Sequence, residues 1–182
     1  MIFGLFRKNK VSHAVMVRQY EALNRTARDP AFFESMNVPD TVMGRFEMLA
    51  IVLILYFRRT AAAGDEVKAI AQEIVEAFFQ DLDHSMRELG IGDNGVPKRM
   101  KKHAGMFYGR LDSYARALEA GDGEALEAAL RRNIHPENAD GALSMRRLAD
   151  YMVKAEDALK AVPESVLVRG EAVLPAAEKE EA

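Results

Sequence analysis

A run of apolar residues, MLAIVLILYF at Met48–Phe57, constrains the fold of this 182-residue chain more than any other feature. It is well short of the roughly 20 residues that a membrane-spanning helix needs. Arg45 and Glu47 precede the run closely, and Arg58 and Arg59 follow it. We therefore expect Met48–Phe57 to be the buried central part of a helix inside a globular domain.

The rest of the chain also has helical periodicity. Apolar residues recur at spacings of three and four, which align them on one face of a helix. They are Val67, Ile70, Ile74, Phe78, Leu82 and Leu89 in one segment, and Val96, Met100, Phe107, Leu111, Tyr114 and Leu118 in the next. No alternating segment is long enough to predict a strand. The predicted class is all-α, a compact single-domain bundle of about six helices.

Prolines, glycines and capping residues set the predicted helix ends. The spans are Ser12–Arg28, Asp40–Ala62 with Asp40 as N-cap, Asp65–Leu89, Gly95–Ala120, Asp122–Arg132 and Asp140–Ala161. Residues 11–162 form the predicted helical domain. Residues 1–10 either touch an anionic membrane surface or form a frayed or packed end. Residues 163–182 are predicted to be a largely flexible tail because their end is acidic and alanine-rich, although ESVLVRGEAVLP can also be read as a packed extended segment.

Composition excludes several classes of protein. The net charge of −3 and the pI near 5.9 argue against a DNA-binding protein, because phosphate binding generally needs a basic domain. The chain has no cysteine, so it has no disulfide and no thiolate site. The N-terminus MIFGLFRKNK has its hydrophobic residues before its charges, the reverse of a secretory signal. We expect a cytoplasmic protein.

Residues capable of catalysis or metal binding do not form a recognisable site. The four histidines are scattered over different segments: His13, His84, His103 and His135. Asp81 and His84 are three residues apart and can share a helix face, but the carboxylate and histidine sets of a di-iron bundle are missing. No phosphate-binding or nucleophile motif occurs. We therefore predict no enzyme, no cofactor and no metal.

The segment GIGDNGVPKRMKKHAGMFYGRLDSYARAL, Gly90–Leu118, is the least ordinary part of the chain. Its predicted core stripe is Val96, Met100, Ala104, Phe107, Leu111, Tyr114 and Leu118. A different face carries Lys98, Lys102, Gly105, Gly109 and Arg116. Each interior glycine costs a helix about 0.8–1.0 kcal/mol relative to alanine. The notch at Gly105 and Gly109 is filled either by a neighbouring helix of the same fold or by a partner helix.

Around this segment the chain resembles the ubiquinol–cytochrome c chaperone family, the assembly factors of the cytochrome bc1 complex. The matching positions are Leu89, Gly90, Gly92, Asp93, Val96, Lys98, Arg99, Met100, Phe107, Tyr108, Gly109, Arg110 and Tyr114. The similarity also takes in DTVMGRFEMLAIVLILYFRR and QEIVEAFFQDLDHSMRELG, so it runs from Asp40 to Leu118. It implies an all-helical, non-enzymatic chaperone that binds newly made cytochrome b.

The resemblance also implies a second assembly factor and the ribosome as candidate partners. An arginine-rich presequence is not evident, which favours a bacterial member at the inner face of the cytoplasmic membrane. The alternative function is a membrane-surface or ribosome adaptor that uses a basic helical face.

The predicted partner-binding surface combines the turn with the helix that follows it. Its members are Gly92, Asp93, Lys98, Arg99, Lys101, Lys102, Gly105, Met106, Tyr108, Gly109 and Arg110. Its positive charges can meet acidic loops of a client protein, anionic lipid headgroups or ribosomal RNA. For Arg110 the alternative is a structural ion pair with Asp112 or with an acid of the preceding helix.

Overall fold

The chain folds into a bundle of helices, and the computed structural model describes residues 3–88, 96–138 and 143–178. The helices are α1 (Phe3–Ala27), α2 (Pro30–Ser35), α3 (Val42–Thr60), α4 (Asp65–Glu88), α5 (Val96–Ala120), α6 (Gly123–Ile134), α7 (Arg146–Lys160) and α8 (Glu164–Val168), with a short 3-10 turn at Pro136–Asn138. Over these ranges the chain contains no strand, which confirms the predicted all-α class.

Helix α3 lies at the centre of the bundle. Every residue from Ala50 to Tyr56 is buried, and α1, α4, α5, α6 and α7 all pack against α3. A helix that is apolar around its whole circumference needs neighbours on every side. The prediction of a buried central helix at Met48–Phe57 is confirmed, with Leu49 and Phe57 half-buried.

The start of α3 differs from the prediction in its capping residue. Thr41, and not Asp40, is the N-cap: its hydroxyl accepts a hydrogen bond from the backbone N–H of Gly44 at 3.1 Å. The Asp40 carboxylate instead accepts a hydrogen bond from Nε of Arg45 at 2.8 Å. A Cβ atom at Gly44 would lie 1.8 Å from the carbonyl oxygen of Pro39, so only glycine fits this close approach. The first turn of α3 is therefore tightly fixed.

The N-terminal region contains two departures from the predicted helix spans. Helix α1 begins at Phe3, well before the predicted start at Ser12, so residues 3–10 continue α1. Asp29 and Pro30 end α1 as predicted, but they also begin the unpredicted helix α2. The Asp29 carboxylate accepts a hydrogen bond from the N–H of Ala31 at 3.0 Å, and Pro30 occupies the first turn, where its missing N–H has no cost.

The side chains of residues 3–12 lie outside the described part of the structure, so membrane contact by the N-terminal segment stays a prediction. Of the helices that the structure describes, none combines the length and the apolar character required to cross a bilayer.

The C-terminal region corrects the prediction of a flexible tail. From residue 163 to residue 178 the chain forms α8 and an extended segment that packs on the bundle, with Leu167 and Leu174 buried. The side-chain amide of Gln19 donates to the carbonyl of Ala172 at 2.8 Å and accepts from its N–H at 3.0 Å. The Tyr151 hydroxyl donates to the carbonyl of Pro175 at 3.1 Å. These contacts join the segment to α1 and α7.

Candidate functional site

Helix α5 is held against the bundle by an aromatic cluster around Phe107. The ring centroid of Phe107 lies 5.5 Å from that of Phe78, 6.0 Å from that of Phe79 and 6.2 Å from that of Phe57. Such tilted and edge-to-face pairs add to the gain from burying the rings. Phe107 therefore fixes the rotation of α5 relative to α3 and α4.

Arg110 anchors the same side of α5 through a buried ion pair. Its Nε donates to Oε2 of Glu47 on α3 at 2.5 Å, and its Nη2 donates to Oε1. Arg110 is only 4% exposed and Glu47 only 3%. Burial raises the pKa of the Glu47 carboxyl, and the guanidinium opposes that rise.

The expectation that Arg110 contributes exposed charge to a binding surface is therefore wrong. Arg110 lies three residues after Phe107 and four before Tyr114, so helical spacing places it on the core side. The alternative prediction, a structural ion pair of Arg110, is correct in kind but wrong in its partner. The acid is Glu47 on α3, and not Asp112 or an acid on α4. Glu47 is a residue that the sequence analysis missed, although its place beside the apolar run indicates a buried acid.

The remaining members of the predicted core stripe confirm the rotation of α5. Tyr114 is buried, and Leu111 and Leu118 pack half-buried against the core. Burial raises the pKa of Tyr114, so its hydroxyl stays neutral. The side chains of Val96 and Met100 lie outside the described residues.

The opposite face of α5 is exposed, as the spacing predicts. Its members are Lys98, Lys101, Lys102, Gly105, Tyr108, Gly109, Asp112 and Arg116. Near its C-terminal end the charges neutralise each other, because Nε of Arg116 donates to the Asp112 carboxylate at 3.0 Å. We call this set of residues the α5 face.

The glycine notch lies in the middle of the α5 face and is open. A Cβ atom built at Gly105 or at Gly109 meets no atom within 4 Å among the described residues. The alternative that a neighbouring helix of the same fold fills the notch therefore finds no support in the part of the chain that the structure describes. Backbone is accessible here, and a partner helix can approach it closely.

Tyr108 stands beside the notch as its largest exposed side chain. It is 56% exposed, and its ring is in edge contact with Phe107 at a centroid distance of 5.7 Å. Met106, also predicted to bind a partner, is half-buried. Tyrosine often contributes strongly to binding at protein interfaces, and the packing against Phe107 restricts the orientation of this ring.

The lysines of the α5 face have no acidic partners in the described part of the chain. Lys98, Lys101 and Lys102 are all exposed, and the ion pairs found on the described residues of α5 involve Arg110, Arg116 and Glu119 instead. Cations near a helix N-terminus are unfavourable for the helix itself. Of the other predicted site residues, Gly92, Asp93 and the side chain of Arg99 lie outside the described residues.

The structure also shows an exposed apolar pair that the sequence analysis missed. Val42 and Met43 form the first turn of α3 and are 69% and 46% exposed. In the sequence the pair is visible as two apolar residues in the first helical turn, between the capping Thr41 and the close-packed Gly44.

The pair considered as metal ligands has other contacts. The Asp81 carboxylate accepts a hydrogen bond from the Tyr20 hydroxyl at 3.0 Å, and His84 Nε2 lies 3.2 Å from Glu88 Oε1 at an exposed position. No three His, Cys, Asp or Glu side chains come together as a metal site within residues 3–88, 96–138 and 143–178.

Comparison with known proteins identifies the family. The family model for the ubiquinol-cytochrome C chaperone matches residues 34–174. The chain is 25% identical, over 169 residues, to ubiquinol-cytochrome-c reductase complex assembly factor 1 of Xenopus laevis, covering 92% of this chain and 84% of that protein. Its structure is similar to the crystal structure of the Cbp3 homolog from Brucella abortus, with a TM-score of 0.89 and 43% identity over 97% of this chain and 98% of that one.

The family match begins in α2 and reaches Leu174, so it takes in α6, α7, α8 and the packed C-terminal segment as well as the predicted Asp40–Leu118. The match supports the predicted function class. The chain belongs to the ubiquinol–cytochrome C chaperone family, which comprises assembly chaperones of the bc1 complex and not enzymes.

Proposed function

We propose that the protein binds newly made cytochrome b through the α5 face and assists assembly of the bc1 complex. One observation carries this proposal: Gly105 and Gly109 leave an open notch on an exposed helix face. Each glycine costs the helix about 0.8–1.0 kcal/mol relative to alanine. Internal packing does not compensate for that cost in the described residues, which favours an external partner.

The geometry of the notch suits a helical client. Small residues four apart let two helix backbones approach closely, and this packing is common between the helices of membrane proteins. Cytochrome b is such a protein. Before its newly made helices enter the bilayer, their apolar side chains need another apolar surface to pack against. Tyr108 adds a large amphipathic ring at the edge of the notch.

The anchoring of α5 supports the same role. Phe107 and the Arg110–Glu47 pair hold the helix from behind, so the exposed face is already formed before a client binds. A rigid surface loses little conformational entropy on binding. Arg110 thus acts in this proposal by positioning the helix.

In this proposal the protein works peripherally at the inner face of the cytoplasmic membrane, because its client is inserted there. A second assembly factor or the ribosome, which the family resemblance implies, is a further candidate partner. Each would be recovered with the tagged protein in the experiment below if it binds together with the client.

The test is isolation of the tagged protein from cells that are synthesising cytochrome b. We expect cytochrome b to copurify with the wild-type protein and to be lost with Gly109→Leu, because the added side chain fills the notch. Ala69→Leu is the control, since Ala69 is an exposed helical position on α4. Equal recovery of cytochrome b with all three proteins would contradict the proposal.

A further inference from the structure

We propose that the N-terminal half of the α5 face and the first turn of α3 together form a surface that binds anionic lipid headgroups. The surface consists of Lys98, Lys101 and Lys102 on α5 and of Val42 and Met43 on α3, and we call it the lipid-binding surface. This inference goes beyond the proposed function, since lipid binding can be measured without cytochrome b.

The lysines supply the charge. All three are exposed and have no ion-pair partner in the described part of the chain. The sequence contains no Asp or Glu between Asp93 and Asp112, so acids of α5 itself do not neutralise this half of the helix. A juxtamembrane cluster of lysines is attracted to anionic lipid, and each lysine near the surface strengthens binding severalfold.

The exposed apolar pair supplies the second element of a membrane-binding surface. Val42 and Met43 are held outward by a rigid turn, because Thr41 caps α3 and Gly44 packs against the carbonyl of Pro39. The nearby charges of Asp40 and Arg45 compensate each other through their ion pair. Apolar side chains beside lysines are typical of proteins that bind at the bilayer interface.

The packing of α3 on α5 brings the two elements to the same end of the bundle. Val42 lies one helical turn before Phe46 on the same side of α3. The ring centroid of Phe46 is 5.5 Å from that of His103, which directly follows Lys102 on α5. The exposed start of α3 therefore lies at the same end of the bundle as the helical turn that carries the lysines.

The chemistry favours lipid over RNA as the anionic partner. Single-stranded nucleic acid is bound by basic grooves with aromatic side chains on which bases stack. Here the exposed residues at the start of α3 are a valine and a methionine, and the α5 face offers a single exposed aromatic ring, Tyr108, about two helical turns after Lys101. The whole chain carries a net charge of −3. A bilayer can accept both elements at once, since lysines meet headgroups while Val42 and Met43 enter the interface.

Vesicle cosedimentation of the purified full chain tests the proposal. The vesicles contain phosphatidylcholine alone or phosphatidylcholine with about one third phosphatidylglycerol. We expect binding to the anionic vesicles only, and weaker binding at higher salt. The triple variant K98Q/K101Q/K102Q should bind about a hundredfold more weakly, on the basis of roughly fivefold per lysine. V42S/M43S should weaken binding by about tenfold, because its two substitutions remove apolar area that enters the interface.

The control is R25Q/R28Q/K68Q, which removes three positive charges at other exposed positions. Arg25 lies on α1, Arg28 directly follows α1, and Lys68 lies on α4. Residues 1–10 are present in every variant and contribute equally. Circular dichroism verifies that each variant keeps its helical content. If both triple variants bind anionic vesicles equally well, or if the wild-type protein does not bind them, the proposal is wrong. Lysine-dependent binding to single-stranded RNA without vesicle binding would also overturn it.

Discussion

Arg110 on α5 and Glu47 on α3 form a two-point ion pair in the interior of the bundle, and both side chains are almost completely buried. A buried charge is tolerated only when its partner is well placed, because removing two ions from water is expensive. This pair links the central helix to the helix whose opposite side carries the glycine notch. It therefore connects the stability of the fold with the position of the α5 face.

Removing the charge of Glu47 should destabilise the protein strongly. Glu47→Gln leaves the Arg110 guanidinium buried without a counter-charge, which costs about 3–5 kcal/mol. Replacing both residues by apolar side chains, E47L/R110M, should restore stability to within about 1 kcal/mol of the wild-type value. Denaturant unfolding of the three proteins measures both effects.

The same double variant separates a structural role of Arg110 from a binding role. If Arg110 only positions α5, E47L/R110M should still bring down cytochrome b from cells. A stable double variant that fails to recover cytochrome b would show that the arginine contacts the client.

Filling the glycine positions with the smallest side chain should stabilise the isolated protein. Nothing lies within 4 Å of a Cβ atom at Gly105 or Gly109 among the described residues, so alanine adds helix propensity without a clash. Each of Gly105→Ala and Gly109→Ala should raise the free energy of unfolding by about 0.8–1.0 kcal/mol. Thermal melts followed by circular dichroism give the result, and a loss of stability would mean that another part of the chain packs into the notch.

Charge reversal on the α5 face should impair assembly of the bc1 complex but leave the fold intact. K98E/K102E changes two exposed residues that lack ion-pair partners in the described structure, so its effect on unfolding should stay within about 0.5 kcal/mol. Acids near a helix N-terminus can even stabilise it slightly. The amount of assembled complex on native gels and a melting curve are the two measurements.

The matched control for this charge reversal is R25E/K68E, which places the same change on α1 and α4. Normal bc1 levels in K98E/K102E, or an equal loss in both variants, would exclude a specific role for these lysines. Unfolding of K98E/K102E would equally contradict the assignment of Lys98 and Lys102 to an exposed face.

Gln19 should prove necessary for the packed C-terminal segment. Gln19→Ala leaves the buried N–H and C=O of Ala172 without their partner, which should cost about 1–3 kcal/mol per unsatisfied group. Limited proteolysis should then cut the segment after α8 faster than in the wild-type protein. Arg18→Ala is the control, because the bond from Arg18 to the carbonyl of Arg169 is exposed and should contribute less. Equal protease sensitivity of all three proteins would contradict a packed segment.

The periodicity of the sequence predicts the helical class, the central α3 and the two faces of α5, since these features depend on local spacing. Phe107 and Tyr114 on one side and Gly105 and Gly109 on the other follow directly from a period near 3.6. The same spacing also places Arg110 on the core side. Its charge alone favours an exposed site, whereas its position in the helix places it in the core.

Features that depend on contacts between distant residues were not predictable in this way. Gln19 pairs with the backbone of Ala172 across most of the chain, and no local composition of the tail indicates that partner. The acidic end of the sequence suggested flexibility, whereas small and apolar side chains such as Ala172 and Leu174 allow close packing. Helix α2 is hard to predict for a local reason: Asp29 and Pro30 are typical of a helix end, and in this chain they also form a helix start.

Site-specific photocrosslinking in cells tests most directly whether the α5 face binds cytochrome b. A photoreactive amino acid replaces Tyr108, which lies beside the open notch, and in a parallel strain it replaces Ala69 on α4. We predict an adduct with newly made cytochrome b from position 108 and none from position 69. Adducts of equal yield from both positions, or no cytochrome b adduct from position 108 while the protein still supports bc1 assembly, would contradict binding through the α5 face.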